Sequence, residues 1–149
     1  IYVCRADASK YELEKTIADK YMKKASIISL LAGLFFSCHA DTERVLEPVD
    51  FKQAIQNDST AIIIDVRTAD EFKEGHLHGA MSLDYLDSKT FKKGIEHLDK
   101  THTYYIYCRS GRRSQSAAKE MEAIGLHVID MKGGIIQWKA CRLPLEQPE

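Results

Sequence analysis

Tyr107 to Ser114 reads Y-C-R-S-G-R-R-S, which brings one thiol together with three guanidinium groups, two serine hydroxyls and a glycine. A cysteine reacts as its thiolate, and helix N-termini and neighbouring arginines favour that form. Cys108 therefore reads as a nucleophile, with Arg109, Arg112 and Arg113 placed to hold an anionic substrate. The loop through Ser110 and Gly111 adds backbone N–H donors, and Gly111 permits a tight turn with positive φ. The competing reading is a basic surface turn beside a small buried cysteine.

The elements around this loop favour the first reading. Thr103 to Tyr107, T-Y-Y-I-Y, is strongly β-prone and runs directly into Cys108. Ser114 to Ile124 reads as a helix that turns Ala117, Ala118, Met121 and Ile124 inward and closes at Gly125. A strand, a short loop and a helix N-terminus make an anion site, because several N–H donors converge where the helix dipole is positive.

Elsewhere, Pro48 opens a helix carrying Val49, Phe51, Ala54 and Ile55. Ala61 to Val66 is an apolar run with an embedded aspartate, as in a strand buried on both faces. Thr68 caps a short helix that ends at Gly75, and a short strand is expected within Ala80 to Leu83. Asp84 to Leu98 is expected to be a helix with Leu86, Phe91, Ile95 and Leu98 facing the core. His127 to Met131 reads as the last strand, and Ile135 to Ala140 as a last helix with Trp138 inward. Alternating strands and helices predict an α/β domain with a mainly parallel sheet, whose ligands gather at the carboxyl ends of the strands.

The whole chain sets outer limits. Its 149 residues, 44% hydrophobic and 29% charged, suit one globular domain with residues to spare. A net charge of −1 gives no reason to expect nucleic-acid binding. Cys4, Cys38, Cys108 and Cys141 form no C-x-x-C pair, which argues against a zinc finger and a dense disulfide framework. From Cys38 onward, 15 Lys and Arg stand against 18 Asp and Glu, so the basic loop belongs to a mildly acidic domain.

Three stretches together resemble rhodanese-like sulfurtransferases. C-R-S-G-R-R-S is similar to that family's active-site loop, and D-V-R-T-A-D-E-F-K-E-G-H-L-H-G-A, from Asp65 to Ala80, to its upstream signature. G-G-I-I-Q-W-K-A-C-R-L-P-L, from Gly133 to Leu145, resembles its closing signature. The resemblance implies a three-layer α/β/α fold over residues 45–149 and a two-step sulfur transfer. Cys108 would take the outer sulfur of a small anionic donor such as thiosulfate and pass it, as a persulfide, to cyanide or a thiol. The loop amides would stabilise the charged sulfur, and no metal or organic cofactor is implied. Asp65 and Arg67 would support the loop, with Arg67 paired to Glu71. His76 belongs to the matched signature, so His76 and His78 are not read as metal ligands. Cys141 stands where the family more often has glycine and is read as a small buried residue rather than a resolving thiol.

Two other classes fit the sequence less well. Phosphatases and arsenate reductases of the related fold resemble C-x5-R, whereas here Arg113 stands five positions after Cys108 and Ser114 six. A binding module without turnover would more commonly lack the loop cysteine.

Residues 22–37 read as a signal peptide: Met22 and two lysines precede a mostly apolar run from Ala25 to Phe36, far short of the roughly 20 residues that span a bilayer. Ser37-Cys38 resembles the lipobox of bacterial lipoproteins, which implies lipidation of Cys38, a tether over residues 38–44, and a membrane-anchored domain in the bacterial envelope or periplasm. Residues 1–21 are then expected to be an upstream extension without function. In an oxidising compartment Cys108 would need a reducing partner protein to remain active.

Overall fold

The computed structural model describes residues 44–146. The expected extension, signal peptide and lipidation site at Cys38, and the tether up to residue 43, lie outside the described residues. Five strands alternate with five helices: β1 (Val45–Leu46), α1 (Pro48–Asn57), β2 (Ala61–Asp65), α2 (Ala69–Lys73), β3 (Met81–Ser82), α3 (Ser88–Glu96), β4 (Thr103–Tyr107), α4 (Arg112–Ala123), β5 (His127–Met131) and α5 (Gly134–Ala140). The strands form one sheet in the order β1-β5-β4-β2-β3, and every pairing is parallel. The mainly parallel α/β sheet expected from the sequence is thus all parallel among the described residues.

The central strand shows how the sequence makes three layers. Successive side chains on a strand point to opposite faces. Tyr104 and Ile106 enter one core with Ile64, Phe91, Ile95, Ala117 and Met121, beneath α3 and α4. Tyr105 and Tyr107 enter the other with Phe51, Met131, Ile135 and Trp138, beneath α1 and α5. Phe51 and Phe91 are buried in opposite layers, and burying each side chain contributes about 1.5–3 kcal/mol.

Local chemistry sets the element ends. Pro48 occupies the first turn of α1, as expected. Thr68 accepts from the Glu71 amide while the Glu71 side chain accepts from the Thr68 amide, a reciprocal cap that fixes the start of α2. The helix expected over Asp84 to Leu98 is shorter. Asp84 accepts from the Leu86 amide and Asp87 from that of Thr90, so these carboxylates hold a turn and a cap where helix was expected. Leu86 is consequently 63% exposed rather than core. Ile124, expected inward, caps the end of α4 and lies at the surface.

The register brings β2 and β4 to a common carboxyl edge. Asp65 lies opposite Tyr107, and the Val66 amide bonds to Tyr107 O at 3.0 Å. The segments after both strands therefore leave the sheet side by side, with β5 flanking β4 on its other side.

Candidate active site

Cys108 directly follows β4, 1% exposed and a free thiol. The chain then reverses within three residues. Gly111 takes φ 94° and becomes the N-cap of α4, a conformation that favours glycine. This turn aims the Gly111 amide at Cys108 Sγ, 3.1 Å away. Ser114, fully buried in the first turn of α4, brings its hydroxyl to 3.5 Å from Sγ and donates to Gly111 O at 3.1 Å. The sulfur thus meets two donors at the N-terminus of a twelve-residue helix, an arrangement that stabilises negative charge on it.

Helix α5 supports the same loop from the other side. Its amides at Ile135 and Ile136 bond to Cys108 O at 2.9 Å and Arg109 O at 3.1 Å. Gly134 makes this approach possible: a Cβ there would collide with Cys108 O and lie 2.7 Å from both the carbonyl carbon and oxygen of Arg109. The closing signature seen in the sequence is therefore a backbone clamp on the cysteine loop, while its Trp138 is buried and bonds through Nε1 to Pro144 O.

The three arginines have different environments. Arg109 and Arg112 are exposed at the loop surface, as is Ser110. Arg113 is instead bound to Glu71 in a bidentate pair, with both N–O distances 2.7 Å. Those bonds hold the Glu71 carboxyl down to about 2, against the opposing effect of burial, and Glu71 in turn raises Arg113. Cys108 adds to the stabilisation of the Arg113 charge, so this guanidinium also lies within reach of the thiol.

That pairing corrects one expectation: Arg67 does not pair with Glu71. Its Nε donates to the two Asp65 oxygens at 2.9 and 2.8 Å, its Nη2 to Asp65 Oδ2 at 2.6 Å, and its own amide to Oδ1 at 2.9 Å. The chain bends just after β2 and folds Arg67 back onto the aspartate, while the cap of α2 turns Glu71 across to α4. Asp65 and Arg67 are 0% and 3% exposed, and Arg67 Nη2 also reaches Gly75 O at 2.8 Å. They form a buried brace for the segment beside the loop and touch neither Sγ nor the exposed arginines. A second adjustment concerns Arg113, which is read in sequence as an anion ligand but spends both terminal nitrogens on Glu71.

Sequence reasoning missed the parts played by Glu71 and Ser114. Ser114 stood one turn beyond Gly111 at the start of a predicted helix, where a hydroxyl can reach back to the loop. Glu71 was expected only as the partner of Arg67, because its actual partner lies 42 residues away. His76 stacks on Phe72 at 3.7 Å, and His78 Nδ1 meets Glu146 at 3.0 Å. Cys141 is the C-cap of α5 and is half-buried.

Comparisons with known proteins agree with this geometry. The family model for the rhodanese-like domain matches residues 47–141. A protein of Allochromatium vinosum named as a sulfurtransferase is 28% identical over 105 residues, covering 70% of this chain and 95% of that protein. YrkF of Bacillus subtilis is 33% identical over 89 residues, covering 59% of this chain, and the chain spans only 46% of YrkF. The crystal structure of a rhodanese-related protein from Thermoplasma volcanium superposes with a TM-score of 0.62 at 23% identity, covering 70% of this chain and 99% of that one. With its all-parallel sheet, its cysteine loop and a family match over most of the described residues, the chain belongs to the rhodanese-like domain family, and its named relatives support a role in sulfur transfer.

Proposed function

We propose that this domain is a sulfurtransferase that carries a sulfane sulfur on Cys108. The observation that carries the reading is the convergence of the Gly111 amide and the Ser114 hydroxyl on Cys108 Sγ at the N-terminus of α4. Such donors favour a negative sulfur, and a persulfide anion is one.

The first half-reaction is a displacement at sulfur. The Cys108 thiolate attacks the outer sulfur of thiosulfate, a new S–S bond forms, the donor's S–S bond breaks, and sulfite leaves with the electron pair. Arg109 and Arg112, exposed beside the loop, attract and orient the dianionic donor. In the second half-reaction cyanide or a cellular thiolate attacks the outer sulfur of the persulfide, and the Cys108 thiolate is the leaving group. Arg113, held by Glu71, keeps positive charge near the sulfur through both steps. Envelope localisation and a lipid on Cys38 belong to the proposal on the strength of residues 22–38 alone, as does a reducing partner protein.

Incubation of the domain with thiosulfate and cyanide should release thiocyanate, and Cys108→Ser should release none. Equal release by the variant would end the proposal. Phosphate release from an aryl phosphate, without thiocyanate, would favour the C-x5-R enzymes instead.

A further inference from the structure

Strand β5 carries an acid that the sulfur chemistry above does not use. Asp130 is 2% exposed, and neither of its oxygens has a hydrogen-bond partner among the described residues. A buried polar group is normally bonded, and a buried charge is normally paired. Its position is fixed by the register. Asp130 lies opposite Ile106 on β4 and Val45 on β1, and directly paired residues share a face of the sheet. Cys108 comes two residues after Ile106 and leaves the strand on that face, which α4 covers through Ser114, Ala117 and Met121.

Ser114 faces both the thiol, at 3.5 Å, and the acid. Its hydroxyl and the Met131 amide both oppose the upward push of burial on the Asp130 carboxyl, yet neither makes a hydrogen bond to either oxygen. The two facts are compatible, because the hydroxyl has one hydrogen and here turns it toward Gly111 O and Cys108 Sγ. We propose that Asp130 is a positioning residue that sets, through Ser114, whether the Cys108 sulfur receives a hydrogen bond. When Asp130 is protonated it donates to Ser114 Oγ and leaves the serine hydrogen for the sulfur. When Asp130 is ionised it draws that hydrogen to itself and places a negative charge beneath the loop.

The groups facing this acid leave the switch intact. From β4 it meets Ile106, two residues before Cys108; on its own strand the Met131 amide faces it; and from α4 it meets Ser114, with Arg113 next in the chain and committed to Glu71. From β1 it meets Val45; just before that strand, Arg44 O accepts from the Asp130 amide, while the Arg44 guanidinium pairs with Glu122 of α4 at 3.1 Å. Burial pushes Asp130 up to about 6, so the change falls in the near-neutral range: neutral carboxyl below, carboxylate above.

The inference rests on Cys108 as the reacting thiol, and its test does not require sulfur transfer. The rate of Cys108 alkylation by iodoacetamide, a small neutral reagent, should show two inflections with pH, that of the thiol and a second near Asp130's titration. Asp130→Asn, which donates to Ser114 permanently, should lose the second inflection and react about tenfold faster than the native chain at about pH 8, one hydrogen bond to a charged sulfur being at stake. Ser114→Ala, which leaves the Asp130 charge in place but removes the hydrogen it competes for, should shrink that inflection and react slowly throughout. Persistence of the second inflection in Asp130→Asn, or at undiminished size in Ser114→Ala, would overturn the proposal. Carboxyl NMR titration of the native protein, which needs no variant, should find one aspartate titrating near 6; finding every aspartate at or below its ordinary value would overturn it too. Absence of thiocyanate in the transfer assay, with these alkylation profiles intact, would count against the sulfur-transfer reading and not against Asp130.

Discussion

Replacing Gly134 by alanine tests whether α5 clamps the cysteine loop through its backbone. Two costs add. Gly134 has φ 58°, and an L side chain in that region costs about 1–2 kcal/mol. The new Cβ would also strike Cys108 O and lie 2.7 Å from Arg109 C and O, atoms that cannot rotate aside as a side-chain end would. Overpacking of this kind costs about 1–3 kcal/mol. Gly79 separates the two costs, since its φ is 74° but nothing lies within 4 Å of a Cβ built there. In urea denaturation Gly79→Ala should lose only the conformational part, about 1–2 kcal/mol, and Gly134→Ala about 2–5 kcal/mol, the sum of both. The collision falls on the backbone that carries Cys108, so thiocyanate formation by folded Gly134→Ala should drop about a hundredfold, as expected for a misplaced reacting group. Equal destabilisation of the two variants, with transfer by Gly134→Ala undiminished, would refute the clamp.

Other outcomes follow from single contacts. Glu71 has its carboxyl depressed, so the stability it contributes is present above its ordinary titration range and is lost as pH falls toward 2. Glu71→Gln should therefore cost on the order of 2 kcal/mol at neutral pH, allowing for partial solvent screening, and progressively less below about pH 4 in urea titrations. Asp65→Ala leaves Arg67 buried without its partner and should destabilise the domain by about 3–5 kcal/mol in the same assay. Labelling with palmitate in a bacterial host should be lost in Cys38→Ala; persistent labelling would contradict a lipid on that residue.

What could be read from the sequence was chemistry local to the chain. β4 and β5 were legible to the residue because each is a short β-prone run between turn-forming residues. Cys108 and Gly111 were legible as a site because the strand, loop and helix are contiguous and need no distant partner to make the turn. Misreadings arose where a side chain chose between partners. Leu86 has the spacing of a core residue, but Asp84 and Asp87 take the amides that a longer helix would have used. Arg67 and Arg113 both had acids to choose from, and only the folding of α2 against α4 decided that Glu71 goes to Arg113. Asp130 gave no signal, since its isolation depends on the face of β5 that α4 happens to cover.

The central claim is that Cys108 itself carries the transferred sulfur. Mass spectrometry of the domain after thiosulfate, without reducing agent, should find the mass of one added sulfur atom on the peptide containing Cys108. Cyanide should remove that mass and produce a matching amount of thiocyanate. Turnover with no added sulfur on Cys108, or with the sulfur on another residue, would contradict the account.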